Sequence, residues 1–308
     1  MLVTMLLVAV FTMTLPGFAS VGNMQALLRT ASLLGVYALG QAIVMIVRGV
    51  DLSLIAVALV STGAAVALMK AGAGLPTALA GGFAVALALG LFNGTVVTVL
   101  GLPPLLATLA SALLFVGLAR VALPSTLAHL PPENEGLLAL AGDWQGWPLP
   151  LALFAICAIG LHLFLIRTIP GRFLYACGDS PAAARLTGIP VAATLLLGYT
   201  LCAVFAYVGG LLSLASTGMV DLRTAQSTRI FDVLVVAIVG GVGLAGARGG
   251  ASSVVAGALL IAVAQNGMAL ADLQQQVQNA LMGLVLLIAI VVDQRLPRRD
   301  DDRGADTD

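Results

Sequence analysis

The sequence predicts an all-α integral membrane protein with about ten transmembrane helices. Three observations predict it. The 308 residues are 60% apolar and only 9% charged, against roughly 25% charged in an ordinary soluble domain. The charges fall in a few clusters separated by long uncharged runs, the pattern of helices in lipid joined by short wet loops. About ten of those runs approach the length needed to cross a ~30 Å hydrocarbon core.

The runs cover residues 1–16, 30–47, 52–70, 75–99, 104–123, 148–167, 191–213, 231–246, 250–271 and 277–293. The first has no Lys or Arg ahead of it, and the first basic residue of the chain is Arg29, so it is expected to be a retained helix and not the core of a cleaved signal peptide. Orientation follows from the basic residues, which stay on the cytoplasmic side. Arg167, Arg172 and Arg185 lie in one connection, and Arg295, Arg298, Arg299 and Arg303 in the C-terminal tail. The 124–147 connection carries Glu133, Glu135 and Asp143 without Lys or Arg, together with Trp144 and Trp147, and is expected to face outward. The parity of the crossings then places both termini in the cytoplasm. Residues 1–294 form one transmembrane domain, and 295–308 are expected to be a disordered cytoplasmic tail. A five-plus-five arrangement, with the second set an inverted copy, fits two faint echoes. Val50-Asp51-Leu52 is matched by Val220-Asp221-Leu222, and Asn93-Gly94 by Asn266-Gly267.

Several chemistries are disfavoured. Gly241-Val242-Gly243-Leu244-Ala245-Gly246 fits a dinucleotide fingerprint by letter, but the acidic residue required ~20 positions on is missing; a tight turn between helices explains the glycines better. There is no P-loop, so the chain has no ATP-hydrolysing motif of its own. Cys157, Cys177 and Cys202 are scattered, His162 stands alone in its crossing, and no metal site, paired carboxylate set or cofactor is expected in this chain. The zero net charge implies no nucleic-acid partner; the surrounding partner is lipid.

The most informative stretch is 178–190. Asp179 or Ser180 caps a helix, Pro181 suits its first turn, three alanines continue it, and Gly188 and Pro190 stop it. A helix of about two turns is too short to span a membrane. It is either a plain connector or a docking helix presenting Arg185 and Leu186 to a cytoplasmic partner. Arg48 to Ser53 interrupts two apolar runs, as a turn or as a break whose freed polar groups line a path. Asp51 and Ser53, with Asn93, Thr108, Gln265 and Asn266 at helix depth, are the path candidates. The last four suit a neutral, polyhydroxylated solute better than an ion, although helix-to-helix hydrogen bonds explain them as well.

Taken in order, G-V-D-L-S at 49–53, L-F-N-G at 91–94, L-P-P-L-L-A-T-L at 102–109, G-R-F-L-Y-A-C-G-D at 171–179, A-A-R-L-T-G-I at 183–189, G-G-V-G-L-A-G-A-R-G at 240–249 and Q-N-G at 265–267 make the chain resemble the ABC importer permeases for ribose and other simple sugars, a group that includes xylose and autoinducer-type permeases. The resemblance implies a multi-pass permease in a bacterial inner membrane, carrying a monosaccharide or similar small polar solute. It implies a second permease copy or paralogue, a cytoplasmic ATP-binding subunit and a periplasmic solute-binding protein. Under it, Gly171, Arg172, Asp179, Ser180, Arg185, Leu186 and Gly188 become the ATPase-coupling loop, and Asp221, Arg223 and Arg229 contacts for the binding protein. The alternatives are a permease for branched-chain amino acids or nucleosides and an ion-coupled carrier. Two departures from the family pattern are Leu54-Ile55 after the G-V-D-L-S motif and Val242-Gly243 in the later glycine-rich turn.

Overall fold

The computed structural model describes residues 1–226 and 228–295; past Arg295 the expected tail lies outside the described residues. The chain is mostly helical. Its helices are α1 (Leu2–Thr14), α2 (Val21–Ile46), α3 (Leu54–Lys70), α4 (Leu75–Thr98), α5 (Pro104–Ala122), α6 (Leu149–Arg167), α7 (Ile169–Asp179), α8 (Pro181–Leu186), α9 (Val191–Thr217), α10 (Arg229–Val239), α11 (Ala251–Leu270) and α12 (Gln275–Arg295). Every apolar run read from the sequence contains a helix. Among the described residues seven helices, α2, α4, α5, α6, α9, α11 and α12, are long and apolar enough to cross a membrane. The apolar helices α1 and α3 are shorter, and α10 has 11 residues.

Two boundaries, one additional helix and a few short strands differ from the sequence expectation. The second helix begins at Val21 and not near residue 30, because the Ser20 side chain accepts a hydrogen bond from Asn23 N (3.4 Å) and caps it there. Arg29 therefore lies inside the helix, where Asp143 pairs with it at 2.8 Å. The eighth run stops being helical at Val239, since the glycines of 240–250 take over the backbone. Helix α7 was not expected; its signal is Thr168 before Ile169-Pro170, where the threonine hydroxyl accepts from Gly171 N at 3.1 Å. The mostly helical class stands, with four short strands among the described residues added in the connections. Strands β1 (Leu127–His129) and β4 (Met219–Asp221) pair antiparallel, as do β2 (Asp143–Trp144) and β3 (Trp147–Pro148). These strands lie in the long connections, whose backbone groups cannot be satisfied within a helix.

Helix α2 is the centre. From Leu34 to Val47 every residue is buried, and α2 packs against α6, α9, α10 and α11. Such enclosure on all sides is what a helix apolar on every face requires. Two layers share a packing scheme: α4 lies on α9 as α11 lies on α2, and α3 contacts α9 as α10 contacts α2. Close approach depends on small residues, because lipid offers apolar surface as readily as another helix does. At Gly210 of α9 an added Cβ would stand 2.3 Å from Thr62 Oγ1 and 2.8 Å from the Ala58 carbonyl oxygen of α3.

The two ends of the bundle are chemically distinct. At the N-terminal end of α2, the 124–148 segment folds over the helices: Gln25 Nε2 donates to the Gly146 carbonyl at 2.9 Å, and Leu130 and Leu137 pack with Val66, Met69, Leu214 and Val220. At the other end of α2 sit α7, α8 and the 240–250 turn. The start of that turn is fixed to the end of α12, where Leu244 N donates to Asp293 Oδ2 at 3.1 Å and Arg248 pairs with the same carboxylate. The acidic, Trp-bearing connection and the basic 167–190 connection thus occupy opposite ends. We expect Gly210→Ala to destabilise the protein by about 1–3 kcal/mol through overpacking, whereas Gly117→Ala, where nothing lies within 4 Å of the added methyl, leaves thermal unfolding in detergent unchanged or slightly improved.

Candidate functional site

The break between α2 and α3 gathers four of the path candidates. After Ile46 the chain turns through Arg48, whose φ of 64° is left-handed, and Gly49, where a side chain would meet Tyr199 Oη at 2.6 Å. The break lies among buried helices, so its polar groups need partners. Asp51, 2% exposed, accepts at Oδ1 from Ser53 N (2.8 Å) and Ser53 Oγ (2.6 Å). Ser53 Oγ in turn accepts from Asn93 Nδ2 of α4 at 2.6 Å. Thr108 of α5 accepts from Leu52 N at 3.0 Å and offers its proton to the carbonyls of Pro104 and Val50 at 2.9 and 3.1 Å. Gln41 of α2, oriented to suit both partners, donates to the Asp51 carbonyl (3.0 Å) and accepts from Asp51 N (3.2 Å). Asp51, Ser53 and Asn93 are thus linked side chain to side chain, and Thr108 and Gln41 hold the backbone of the same break, which joins α2, α3, α4 and α5. Gln41 and Tyr199 were missed from sequence, the first because a lone glutamine in an apolar helix carries no motif. Two buried atoms at this junction, Asn93 Oδ1 and Tyr199 Oη, have no hydrogen-bond partner among the described residues.

Below the break, three segments meet backbone to backbone. Ala247 N of the glycine-rich turn donates to the Ile46 carbonyl at 2.9 Å. Arg48 Nε donates to the Gly178 carbonyl at 2.5 Å and Arg48 Nη2 to that of Asp179; both carbonyls belong to the end of α7, which as a helix C-terminus attracts cations. A Cβ at Gly178 would lie 1.8 Å from the Ile46 carbonyl oxygen. Gly246, at φ 88°, leaves no room for a side chain beside Arg48 Cγ and the Gly178 carbonyl. The glycines of the 240–250 segment form a turn that other elements approach closely. The expected short helix is α8: Ser180 Oγ accepts from Ala183 N at 3.2 Å, and Gly188 ends it at φ 81°. Of the coupling candidates, Gly171 is buried where a Cβ would stand 2.3 Å from the Phe164 carbonyl. Arg172, Asp179, Arg185 and Gly188 are exposed, and Leu186 is 91% exposed. Arg48 was missed as part of this region because it precedes the loop by 130 residues.

The remaining candidates sit at the opposite end. Gln265 and Asn266 line an amide-rich recess between α2, α10, α11 and α12, and the carboxamides of Asn266 and Asn23 exchange hydrogen bonds at 2.9 and 2.8 Å. Asp221 holds Arg223 through Nε to Oδ1 and Nη2 to Oδ2, each 2.9 Å, and also accepts from Arg223 N at 2.9 Å. Asp221 and Asp51 thus make the same turn, each carboxylate taking the N–H two residues on. Hydrogen bonds from Arg223 hold the Asp221 carboxyl below its ordinary range. Arg229 opens α10 and is exposed. Among the described residues no group of three or more His, Cys, Asp or Glu is placed to hold a metal ion.

Ser53→Ala would leave Asn93 Nδ2 buried without an acceptor, and we expect it to cost about 1–3 kcal/mol, read as a fall in the unfolding midpoint in detergent; Ser53→Thr, which keeps the hydroxyl, is expected to recover part of that loss. Because the Asp221 carboxyl is depressed, its pair with Arg223 should be fully present above the ordinary carboxylate range and be lost only as pH falls through the lowered value. Amide exchange in β4 measured down the acidic range checks this.

A family model described as the permease component of a branched-chain amino acid transport system matches residues 23–290. The chain is 31% identical over 292 residues to the probable ABC transporter permease protein y4mJ of Sinorhizobium fredii (strain NBRC 101917 / NGR234), covering 95% of this chain and 87% of that one. It is 27% identical to the ribose import permease protein RbsC of Escherichia coli (strain K12), over 94% of this chain and 91% of that one. To the fructose import permease protein FrcC of Rhizobium meliloti it is 29% identical, over 90% and 79%. No solved structure matches. With the match extending from the start of α2 almost to the end of α12, the chain belongs to the family of membrane permease components described for branched-chain amino acid transport systems.

Proposed function

We propose that this chain is the permease subunit of an ATP-driven importer in a bacterial inner membrane, and that it forms the path for a monosaccharide or similar small polar solute. The observation that carries the proposal is the likeness, over nearly the whole of both chains, to permeases named for ribose and fructose import. The family's description names branched-chain amino acids, which makes that substrate class the competitor to exclude. An ion-coupled carrier is disfavoured because the polar groups inside the bundle are chiefly uncharged amides and hydroxyls.

The proposed topology has ten crossings with both termini in the cytoplasm. Helix α10, at about 16 Å, crosses only with the help of the 222–226 segment before it and the glycine-rich turn after it. The five-plus-five inverted arrangement is supported by the matched packing of α4 on α9 and α11 on α2, and by the matched turns at Asp51 and Asp221. In each half the short helix, α3 or α10, follows that turn, and unusually short segments in corresponding positions mark the solute path of many transporters.

Coupling is assigned to α8 and its flanks. A leucine 91% exposed beside Arg185, at the bundle end proposed to face the cytoplasm, suits a protein partner better than water. The partners are a cytoplasmic ATP-binding subunit on this side, a solute-binding protein over Asp221, Arg223 and Arg229, and a second permease copy or paralogue within the membrane. The chain performs no chemistry and needs no cofactor. Arg48 gives the docking loop a grip on the break above it: α8 is tied through Ser180 and Asp179 to α7, α7 through Arg48 to α2, and α2 to the Asp51 network.

The reconstituted complex is expected to take up a pentose or hexose on ATP addition and to ignore leucine; uptake of leucine alone would overturn the sugar assignment. Leu186→Asp is expected to lower solute-stimulated ATP hydrolysis at least tenfold. Arg48→Ala should keep the ATP-binding subunit bound in pull-down while reducing uptake per ATP several-fold. Unchanged uptake and hydrolysis in both variants would remove the coupling assignment.

A further inference from the structure

The β2–β3 hairpin keeps its two largest side chains off the bundle. Trp144 and Trp147 stand directly opposite each other, across a turn in which Gln145 at φ 51° and Gly146 at φ 81° are both left-handed, as a tight two-residue hairpin requires. Cross-strand partners project from one face of a ribbon, so the indoles make a single patch, and both are exposed. The backbone beneath them is fixed: Gln25 Nε2 holds the Gly146 carbonyl at 2.9 Å, and Asp143 pairs with Arg29 at 2.8 Å. Depth identifies what covers the patch. Trp147 stands just before α6, whose 19 residues rise about 28 Å against a hydrocarbon core of ~30 Å. Ile156, Ile159 and Ile166 on that helix are exposed, as side chains facing acyl chains are, and Arg167 closes its far end. Tryptophan at one end and arginine at the other are residue types that mark the two membrane–water boundaries.

We propose that Trp144 and Trp147 insert together into the boundary layer of the outer leaflet, where acyl chains give way to headgroups, and that this lipid contact holds the 124–148 segment against the membrane. The contact itself follows from the hairpin and α6; only the choice of leaflet rests on the topology proposed above. The chemistry matches, because an indole joins a large apolar body to one N–H donor, and that layer offers hydrocarbon beside ester and phosphate oxygens. Charge attraction is not the source. Residues 124–148 contain Glu133, Glu135 and Asp143 and no Lys or Arg, so an anionic surface gains nothing here. A water-soluble binding protein rests above the headgroups and does not reach a side chain at the very start of a spanning helix. A second copy of the chain is the competing cover, and lipid accessibility separates the two.

The test places the full chain, with 5-fluorotryptophan at both tryptophans, in phosphatidylcholine nanodiscs, and Trp144→Phe and Trp147→Phe assign the two fluorine resonances. Relaxation of both is expected to rise at least threefold more with a nitroxide near the acyl-chain carbonyl than with one near the terminal methyl or with a gadolinium chelate in water. A response to the chelate alone would place the hairpin in solvent, a response strongest to the terminal nitroxide would place it in the hydrocarbon core, and silence to all three would place it against a second copy. Each of these overturns the proposal, as does a response from only one of the indoles. Trp144→Ser combined with Trp147→Ser, both at exposed positions, is expected to raise amide exchange across 132–141 at least threefold in the same nanodiscs; unchanged exchange would overturn the holding role. None of these readouts involves solute or ATP, so the importer function stands or falls separately.

Discussion

The central helix of this protein stops amid buried neighbours, and the rest of the structure depends on satisfying what that stop exposes. In lipid a freed N–H or carbonyl has no water to turn to. Around residues 46–53 the partners are therefore drawn from distant parts of the chain: Ala247 for the Ile46 carbonyl, Gln41 for both backbone groups of Asp51, Thr108 for Leu52. Because those partners come from α2, α5 and the glycine-rich turn, the break also ties these elements to one another. Moving any of them disturbs a hydrogen bond buried from solvent, which is the physical basis for transmitting a displacement through packed helices rather than absorbing it.

Most of the architecture was legible in the sequence because hydropathy over about 20 residues is a direct measure of the solvent a segment prefers. Every apolar run became a helix, and the α8 cap, its proline and its terminal glycine were readable at single-residue level. What escaped has identifiable reasons. Helix α2 started early because a serine cap and a distant aspartate outweighed the charge of Arg29. The strands β1 and β4 were invisible because two three-residue segments pair across the chain, and neither carries a periodic pattern by itself. For the candidate site, residue types pointed to Asp51, Ser53, Asn93 and Thr108 but did not show that they meet at one break. Arg48 and Gln41 became meaningful only in three dimensions, since their partners are backbone atoms, and a backbone acceptor leaves no residue signature.

The two ends of the molecule differ in how they are built. At the α8 end backbones approach closely at Gly178, Gly246 and Ala247, and the side chains of Arg48 and Tyr175 and the Arg248–Asp293 pair reach across the same region. At the other end the Asn23–Asn266 pair ties α2 to α11, Arg29 with Asp143 ties α2 to the 124–148 segment, and β1 pairs with β4 through the backbone. Backbone contacts are short, stiff and intolerant of substitution, whereas side-chain pairs tolerate rearrangement at modest cost.

The hairpin of β2 and β3 has one further consequence. The chain has 2 tryptophans, and both flank its two-residue turn, with Trp144 68% and Trp147 64% exposed. Tryptophan emission from the intact subunit therefore originates at a single spot on one rim of the bundle, adjacent to the N-terminal end of α2. The molecule carries a native optical probe of that rim, sensitive to local polarity and to nearby quenchers, and no dye need be attached to follow events there.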